Sequence, residues 1–335
     1  MDPWESVVGF ATIWTAHIGR RYGIFRAMGE LNRPVSGAEL AGATKLNPEA
    51  VRLWCNAAVK LGIIGRRGGR YYLPRRVRSM LLDERNPAYV GGMHSYLALR
   101  SLDFHLLDGF FRSEGKTRHR ARHLTEAFGE ATRWDHLTFF ERVVPRVKGL
   151  ERMLDGAAMA LDLGCGTGGW ALELCRRYPN VAAVGVDLDR RAIAEARRRA
   201  KEAGLSGRVR FVVAPGESLD LEVEFDLVYL GEVLCVASDR LGVLRAAHRA
   251  LKPEGLAVVA EGLSDSTGNL SHDQLLTFLA LDYALQGGSM LSVRELSSLL
   301  ARAGFRKNEF VHTGGGLWFA VARKARSSAP RTSPD

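Results

Sequence analysis

The chain has 335 residues, of which 46% are hydrophobic and 25% are charged, and its formal net charge is +10. This length allows two domains with buried cores, and the apolar content excludes a disordered chain. No window reaches the roughly 18 consecutive apolar residues that a membrane span needs. Acidic residues in MDPWESVVGF argue against an export signal, and four scattered cysteines without CxxC spacing argue against a zinc site or a disulfide framework. We therefore expect a cytoplasmic protein without a membrane segment.

Residues 4–30 have the apolar period of one amphipathic helix. Its large apolar side chains cluster on one side: Trp4, Val7, Val8, Phe10, Ile13 and Trp14. So many apolar groups near the start of the chain predict burial against a partner subunit, and we expect a homodimer. Packing on the chain's own core is the alternative.

The next segment predicts a winged-helix arrangement. SGAE at 36–39 is a capping box, in which the serine caps the helix and the glutamate bonds back. NPEAVRLWCNAAVKLG starts with Asn47 as cap and ends at Gly62. IIGRRGGRYYL alternates like a hairpin around its paired glycines. Residues 76–112 and 124–155 are predicted as further helices, although 112–123, RSEGKTRHRARH, is a basic run without an apolar period and predicts a surface loop.

From residue 157 short aliphatic runs alternate with helical segments. The runs are AAMALDLG, VAAVGVD, VRFVVAP, FDLVYLG and GLAVVAEGL. This alternation is typical of a parallel sheet with crossover helices, so we predict an α/β domain. The last runs, FRKNEFVHT and GLWFAVARK, are joined by glycines and predict an antiparallel pair.

The stretch LDLGCGTGGW places Gly164, Gly166 and Gly168 directly after a strand, where open α/β sheets bind ligands. The same glycines also fit a dinucleotide fingerprint, so they do not choose the ligand alone. Asp162 precedes them, and a carboxylate there favours a cationic amino acid group over a pyrophosphate. Asp187 ends the next strand, where a carboxylate accepts both hydroxyls of a ribose. A helix N-cap is the alternative role for Asp187.

Residues 157–323 resemble a class I S-adenosylmethionine-dependent methyltransferase in five landmarks: LDLGCGTGG, GVDLD, FDLVYLGEVL, LKPEGLAVVAE and AGF…GLWFAVARK. The resemblance implies a Rossmann-like domain with a mostly parallel seven-stranded sheet and an antiparallel last strand, and S-adenosylmethionine as cofactor. It implies that Asp162 and the three glycines line the methionine end and that Asp187 holds the ribose. The adenine would lie by Leu188, Ala214 and Pro215, and the sulfur by Leu230 and Glu232.

Nearly the whole chain resembles the small-molecule O-methyltransferases with an N-terminal winged helix. The resemblance implies a dimerisation and substrate-capping domain at 1–123, a helical connector at 124–156 and the cofactor-binding domain at 157–324, while the terminal segment ARSSAPRTSPD predicts a disordered tail at 325–335. The helices from 87 to 140 are apolar with Tyr, Trp and His, which predicts a small, partly aromatic acceptor molecule. The histidine that many members place after the fourth strand is replaced here by Cys235, and a buried thiol is a poor base.

Glu232 is then the nearest alternative base, and Glu261 matches a glutamate that orients the missing histidine in that family. These two residues are the candidate catalytic groups, and no metal site is expected. Four further side chains are possible pocket residues: His94, Tyr96, His136 and His312. The acceptor atom stays open between oxygen, nitrogen and carbon, because in-line methyl transfer can rely on positioning and removal from water.

Three other functions compete with this interpretation. The first is a DNA-binding regulator that senses S-adenosylmethionine, supported by basic residues around the second helix and the wing: Arg52, Lys60, Arg66, Arg67 and Arg70. Its second helix has an apolar face where a recognition helix needs polar side chains, so nucleic acid is not the expected partner. The second is an RNA or protein methyltransferase that uses the basic loop 112–123, and the third is a dinucleotide-dependent oxidoreductase.

Overall fold

The computed structural model describes residues 2–86, 88–112, 122–218, 225–265, 267–314 and 316–326. Most of the basic loop predicted at 112–123 and most of the tail predicted at 325–335 lie outside these residues. The described chain divides into two compact units. The first lies within Met1–His105 and Ala121–Leu137, and the second within Leu106–Arg120 and Thr138–Asp335.

The described helices are α1 (Pro3–Arg21), α2 (Ile24–Leu31), α3 (Gly37–Thr44), α4 (Pro48–Lys60), α5 (Arg75–Leu82), α6 (Gly91–Ser101), α7 (Leu107–Phe111), α8 (Arg122–Ala131), α9 (Arg133–Thr138), α10 (Leu150–Asp155), α11 (Gly169–Arg177), α12 (Arg190–Glu202), α13 (Arg240–Ala250), α14 (Leu270–Leu285) and α15 (Val293–Arg302). None of the helices in this part of the chain is long and apolar enough to cross a membrane.

The described strands are β1 (Gly65–Arg67), β2 (Arg70–Tyr72), β3 (Met159–Leu163), β4 (Ala182–Asp187), β5 (Val209–Val213), β6 (Phe225–Gly231), β7 (Leu251–Gly262), β8 (Arg306–Gly314) and β9 (Leu317–Arg323). Short 3₁₀ turns occur at Phe104–Leu106 and Gly216–Ser218, and a π-helical turn at Phe139–Val143 follows α9.

The first unit contains the helices and hairpin that the sequence predicts. Ser36 Oγ accepts from Glu39 N at 3.2 Å and Ser36 N donates to Glu39 Oε2 at 2.7 Å, which completes the capping box of α3. Asn47 caps α4, and β1 pairs antiparallel with β2 around the two glycines. Cap and turn chemistry therefore predicts this segment well, because both depend on residues close in sequence.

The expected single helix over residues 4–30 is wrong. The chain leaves the helical path at Tyr22 and Gly23, and Gly23 has a left-handed φ of 69°. The break redirects α2 so that Phe25 is fully buried, with its ring 5.3 Å from that of Trp54. The apolar period continues across the break because both helices pack on the same core.

The second unit is built on a seven-stranded sheet in the order β5-β4-β3-β6-β7-β9-β8. The five strands from β5 to β7 are parallel, and β9 runs antiparallel to both β7 and β8. This confirms the predicted Rossmann-like class with an antiparallel last strand. The strand order reverses between β3 and β6, whose carboxyl ends lie side by side with Leu163 opposite Leu230. Open α/β sheets bind their ligands at such a reversal point.

A buried aromatic cluster fixes the amino-terminal part of this unit. Phe139, in the π-helical turn, is fully buried with its ring 5.5 Å from both Trp170 and Tyr229. Trp170, at the start of α11, stacks on Tyr229 of β6 with ring centroids 4.4 Å apart. The cluster therefore joins the first turn after the glycine loop to the strand beside it.

Candidate active site

The glycine loop between β3 and α11 has a backbone that only glycine adopts easily. Gly164, Gly166 and Gly168 have φ values of 74°, 51° and 75°, all in the left-handed region. A Cβ atom at Gly164 would collide with the side chain of Val233, and one at Gly168 would collide with Phe211. A Cβ at Gly166 would meet nothing within 4 Å. Two glycines thus serve close packing, while the middle one faces open space.

Asp187 holds this loop to the end of β4. Its Oδ2 accepts from Gly166 N at 2.9 Å, and its Oδ1 accepts from Asp189 N at 2.8 Å. The side chain that caps α12 is Asp189, so the alternative role of Asp187 as that cap is excluded. Each carboxylate oxygen has a second acceptor position. The half-buried Asp187 therefore keeps capacity to accept two further hydrogen bonds.

A second clamp on the loop comes from Arg199 on α12. Its Nη1 donates to both the carbonyl oxygen and the hydroxyl of Thr167 at 2.9 Å. In the sequence this arginine is one of three consecutive arginines in ARRRAKEAG. Nothing in the residue types shows that Arg199 is the one that contacts the glycine loop. Sequence reasoning missed this residue for that reason.

The carboxyl group of Asp162, on β3, is buried, and one of its two oxygens has no hydrogen-bond partner. The residue is 3% exposed, and its Oδ2 accepts no hydrogen bond. Burial raises the pKa of Asp162 to about 8, and the charge of Asp187 adds to the rise. A cationic group beside Oδ2 would satisfy this oxygen and restore the carboxylate charge.

The residues expected around adenine lie at the same edge of the sheet. Asp187 and Val213 are opposite each other on β4 and β5, and Ala214 N donates to the carbonyl oxygen of Asp187 at 3.1 Å. Leu188 is 55% exposed, Ala214 is half-buried and Pro215 is exposed. This edge offers apolar surface next to the Asp187 carboxylate.

Glu232 follows β6 with a left-handed backbone, at a φ of 55°. Its carboxylate Oε1 accepts from Gly262 N at 2.8 Å, and Oε2 accepts from the Tyr283 hydroxyl at 2.7 Å. Non-glycine residues held in this region cost about 1–3 kcal/mol and cluster at functional sites. Tyr283 was missed in the sequence, because nothing in the apolar helix around it marks its hydroxyl as a partner of Glu232.

Glu261, on β7, is 1% exposed and holds the loop after β6. Its Oε1 accepts from Val233 N at 2.9 Å and from Leu234 N at 2.6 Å, while Oε2 has no partner. Burial raises the pKa of Glu261 to about 8, and the nearby Glu232 carboxyl adds to the rise. The two amide hydrogen bonds to Oε1 oppose this rise, and burial outweighs them, so the neutral acid is favoured at neutral pH.

Cys235 completes this carboxyl cluster, which comprises Glu232, Cys235, Glu261 and Tyr283. Its Sγ lies 3.4 Å from the carbonyl oxygen of Glu232, and burial raises the pKa of the thiol well above its usual range. The thiol is therefore protonated at neutral pH and is no base. Ligand-type atoms of Glu232, Cys235 and Glu261 lie within 4.8 Å of one another, although three of the four carboxyl oxygens already accept hydrogen bonds.

The other candidate pocket residues are placed as follows. In the first unit, His94 Nδ1 lies 2.9 Å from the Val90 carbonyl oxygen, and burial lowers the pKa of its imidazole. Tyr96 is 4% exposed, and its ring packs against Phe128. His136 lies on α9. In the second unit, His312 on β8 stacks on Trp318 with ring centroids 4.5 Å apart.

The methyltransferase domain family matches residues 160–255 of this chain. Over 319 residues the chain is 31% identical to demethylspheroidene O-methyltransferase of Cereibacter sphaeroides, and the match covers 90% of this chain and 80% of that protein. The relationship therefore extends through both units and is not confined to the glycine loop.

Solved structures share the fold over nearly the whole length. Human N-acetylserotonin methyltransferase, in complex with S-adenosylmethionine, gives a TM-score of 0.71 at 21% identity and covers 97% of this chain and 99% of its own. An O-methyltransferase family protein from Burkholderia thailandensis gives a TM-score of 0.67 at 17% identity. That alignment covers 98% of this chain and 100% of the Burkholderia protein. At these identities the likeness is one of fold.

Proposed function

Since the chain belongs to the class I S-adenosylmethionine-dependent methyltransferases, we propose that it transfers the methyl group of this cofactor to a small, partly aromatic molecule. The observation that carries the proposal is the unpartnered, buried oxygen of Asp162 next to a glycine loop that opens at Gly166. S-adenosylmethionine fits both features. Its amino acid end supplies an ammonium group, and its approach requires bare backbone.

We propose the following contacts for the cofactor. Asp162 faces the ammonium group, and Gly164, Gly166 and Gly168 line the methionine end. Asp187 accepts the two ribose hydroxyls on the oxygens that already hold Gly166 N and Asp189 N. Leu188, Ala214 and Pro215 lie against adenine, and Leu230 and Glu232 lie beside the sulfur. When bound, S-adenosylmethionine supplies an electrophilic methyl group on a sulfonium centre.

On the acceptor side, Glu232 is the proposed catalytic residue, and it takes the proton that the acceptor loses. Its support is geometric, because two donors orient its carboxylate at the end of β6. Glu261 is the proposed positioning residue, since it fixes the backbone of Val233 and Leu234 directly after Glu232. The Cys235 thiol stays protonated and packs under this loop.

We also propose that residues 1–123 form a winged-helix domain for dimerisation and substrate capping, that 124–156 connect it, and that 157–324 bind the cofactor. The order α3, α4 and the β1–β2 hairpin supports the winged helix. The apolar face of α1 supports a homodimer, since Trp4 is 73% exposed, Val7 59% and Phe10 54%.

The proposal is tested by following the methyl group. The purified protein is incubated with methyl-tritiated S-adenosylmethionine and a cell extract, and the label is then measured in the small-molecule filtrate, the RNA and the protein. We expect label in the filtrate, lower by about tenfold or more when Gly166→Ala replaces the wild type at a limiting cofactor concentration. Label confined to RNA or protein would show a macromolecular acceptor, and no label in any fraction would remove the methyl-transfer proposal.

A further inference from the structure

We propose that the methyl acceptor of this enzyme is a neutral amine nitrogen, selected by the Glu232 carboxylate that Tyr283 and Gly262 hold at the end of β6. The inference rests on the proposed methyl transfer and names the acceptor class for that same site. It follows from the position, the charge and the surroundings of the carboxyl cluster.

The position is fixed by contacts with the glycine loop. Leu230 lies opposite Leu163, so Glu232 follows β6 where the glycine loop follows β3. The side chain of Val233 fills the place that a Cβ at Gly164 would need. Of the three ionisable residues Glu232, Cys235 and Glu261, only Glu232 keeps exposed surface, because Cys235 is 2% and Glu261 1% exposed. Glu232 is therefore the member of the cluster that an acceptor can touch.

The charge follows from the hydrogen bonds. Both oxygens of Glu232 receive donors, from Gly262 N and the Tyr283 hydroxyl, which is the pattern of a carboxylate. Both donors on Glu261 go to one oxygen, the other oxygen is buried without a hydrogen bond, and burial raises the pKa of this group to about 8. Burial raises the pKa of Glu232 as well, and the two donors oppose that rise. Of the two acids, Glu232 has a donor on each oxygen and keeps exposed surface, so a negative charge in the cluster is better placed on Glu232.

The surroundings contain no compensating cation among the described groups that act on Glu232. These groups are Tyr283, Gly262 and Cys235, with the acid Glu261 as a further electrostatic neighbour, and none of them is positively charged. Arg240 binds the same loop through backbone carbonyl oxygens, at 2.7 Å from Leu234 and 3.4 Å from Cys235, and donates to Ser289 Oγ at 2.9 Å. The acceptor thus meets an uncompensated carboxylate.

This charge favours a nitrogen acceptor. The lone pair of the amine forms the new N–CH₃ bond while the C–S bond breaks, and its electron pair leaves on sulfur as a neutral thioether. Positive charge moves from sulfur to nitrogen, beside Glu232, and the nitrogen then gives one proton to the Glu232 carboxylate. A carboxylate aimed at the place where positive charge develops stabilises the transition state.

A hydroxyl acceptor fits the same site less well. Its oxygen must lose its proton before or during attack, and the Glu232 carboxylate is a far weaker base than the alkoxide or phenolate that would form. Once Glu232 accepted that proton it would be neutral, and its stabilisation of the positive charge in the transition state would be lost. The residue that would become cationic on accepting the proton, a histidine, is replaced by the neutral thiol of Cys235.

Binding of two cofactor analogues tests the proposal without knowledge of the acceptor. Sinefungin carries a protonated amine in place of the methylated sulfonium, whereas S-adenosylhomocysteine is neutral there. We expect calorimetry to show sinefungin binding about tenfold or more tightly, as one favourable charge contact would give. Glu232→Gln should bring the ratio of the two dissociation constants close to one, while Glu195→Gln on the exposed face of α12 should leave it unchanged.

A ratio near one in the wild type, or a ratio unaffected by Glu232→Gln, overturns the nitrogen proposal while cofactor binding stands. Failure of both analogues to bind overturns the proposed function itself. Matched acceptor pairs, tryptamine with tryptophol and aniline with phenol, give a second readout by transfer of labelled methyl. Faster methylation of the amine supports the proposal, and faster methylation of the hydroxyl or of a ring carbon contradicts it. If no pair reacts, the ratio of dissociation constants decides alone.

Discussion

The buried carboxyl group of Asp162 has surroundings that favour a cationic ligand beside it. It is buried on β3 with one oxygen unpartnered, and its pKa is raised to about 8. At neutral pH the cofactor-free protein therefore holds a proton on this group. An arriving ammonium favours the charged form, so it lowers the pKa and displaces the proton.

We therefore predict that S-adenosylmethionine binding at pH 7 releases a proton from Asp162. The measurement is calorimetric titration in buffers of different ionisation enthalpy, where the observed heat should depend on the buffer. Asp162→Asn has no proton to release, so its heat should lose that dependence. Equal heats for the wild type in all buffers would contradict the role given to Asp162.

Two substitutions of Glu261 should differ in their effect on the stability of the folded protein. Glu261→Gln keeps a carbonyl oxygen for Val233 N and Leu234 N, so we expect the free energy of unfolding to change by less than about 1 kcal/mol. Glu261→Leu leaves both amides unsatisfied and should cost about 2–4 kcal/mol. Chemical denaturation of both variants measures the difference, and an equal loss in the two would contradict the assignment of Oε1.

The pH dependence of Glu261 has a definite sign. Its folded pKa of about 8 lies above the unfolded value of 4.5, so between these values the folded state holds a proton that the unfolded state has lost. The contribution of this group to stability is complete below pH 4.5 and declines as pH rises towards 8. The decline should be shallower in Glu261→Gln. Denaturation midpoints measured at several pH values check this.

Among the elements of the second unit, the π-helical turn that carries Phe139 packs against α11 and the central strand β6. Phe139 is fully buried against Trp170 and Tyr229. Phe139→Ala should lower the free energy of unfolding by about 3–5 kcal/mol, as large-to-small changes in a core do. Phe111→Ala, at a side chain 70% exposed, is the control and should change it by less than about 0.5 kcal/mol. Denaturant titration that shows similar small effects for both would contradict the packing.

Much of the element order could be predicted because its signals are local. The aliphatic runs of β3, β4 and β6, the cap at Ser36 and the glycines of the β1–β2 hairpin each depend on neighbours in sequence. The break at Gly23 was not predicted, because the core that receives Phe25 contains residues from distant helices.

In the candidate site, too, the residues marked by local sequence signals could be predicted, and those placed by tertiary contacts could not. Asp162, the three glycines and Asp187 could be predicted as site residues because they lie at or directly after the carboxyl ends of β3 and β4. The hydrogen bond from the Tyr283 hydroxyl to Glu232 joins residues 51 positions apart in sequence, and it was not predicted. The contact of Arg199 with Thr167 was not predicted either, because α12 contains several other arginines. Tertiary contacts of this kind leave no periodic signal in a single sequence.

At the scale of the whole molecule, the apolar face of α1 predicts self-association. We expect light scattering to show a dimer, because Trp4, Val7 and Phe10 together expose apolar surface that water disfavours. Phe10→Arg should shift the protein towards the monomer, and Phe111→Arg, at an exposed position on α7, should not. A monomeric wild type would contradict the dimer.

S-adenosylmethionine is proposed to bind at the glycine loop. Two glycines of the chain allow the effect of a blocked cofactor site to be distinguished from the effect of backbone strain. Gly166 and Gly204 have left-handed φ values of 51° and 67°, and a Cβ at either would meet nothing within 4 Å. An alanine at each costs about 1–2 kcal/mol of strain. Only at Gly166 would the methyl group enter the space assigned to the cofactor.

The measurement is calorimetric titration of S-adenosylmethionine into the wild type, Gly166→Ala and Gly204→Ala. We expect binding by the wild type, the same affinity in Gly204→Ala, and affinity lower by about tenfold or more in Gly166→Ala. No binding by the wild type, or equal affinity in all three proteins, would contradict cofactor binding at the glycine loop.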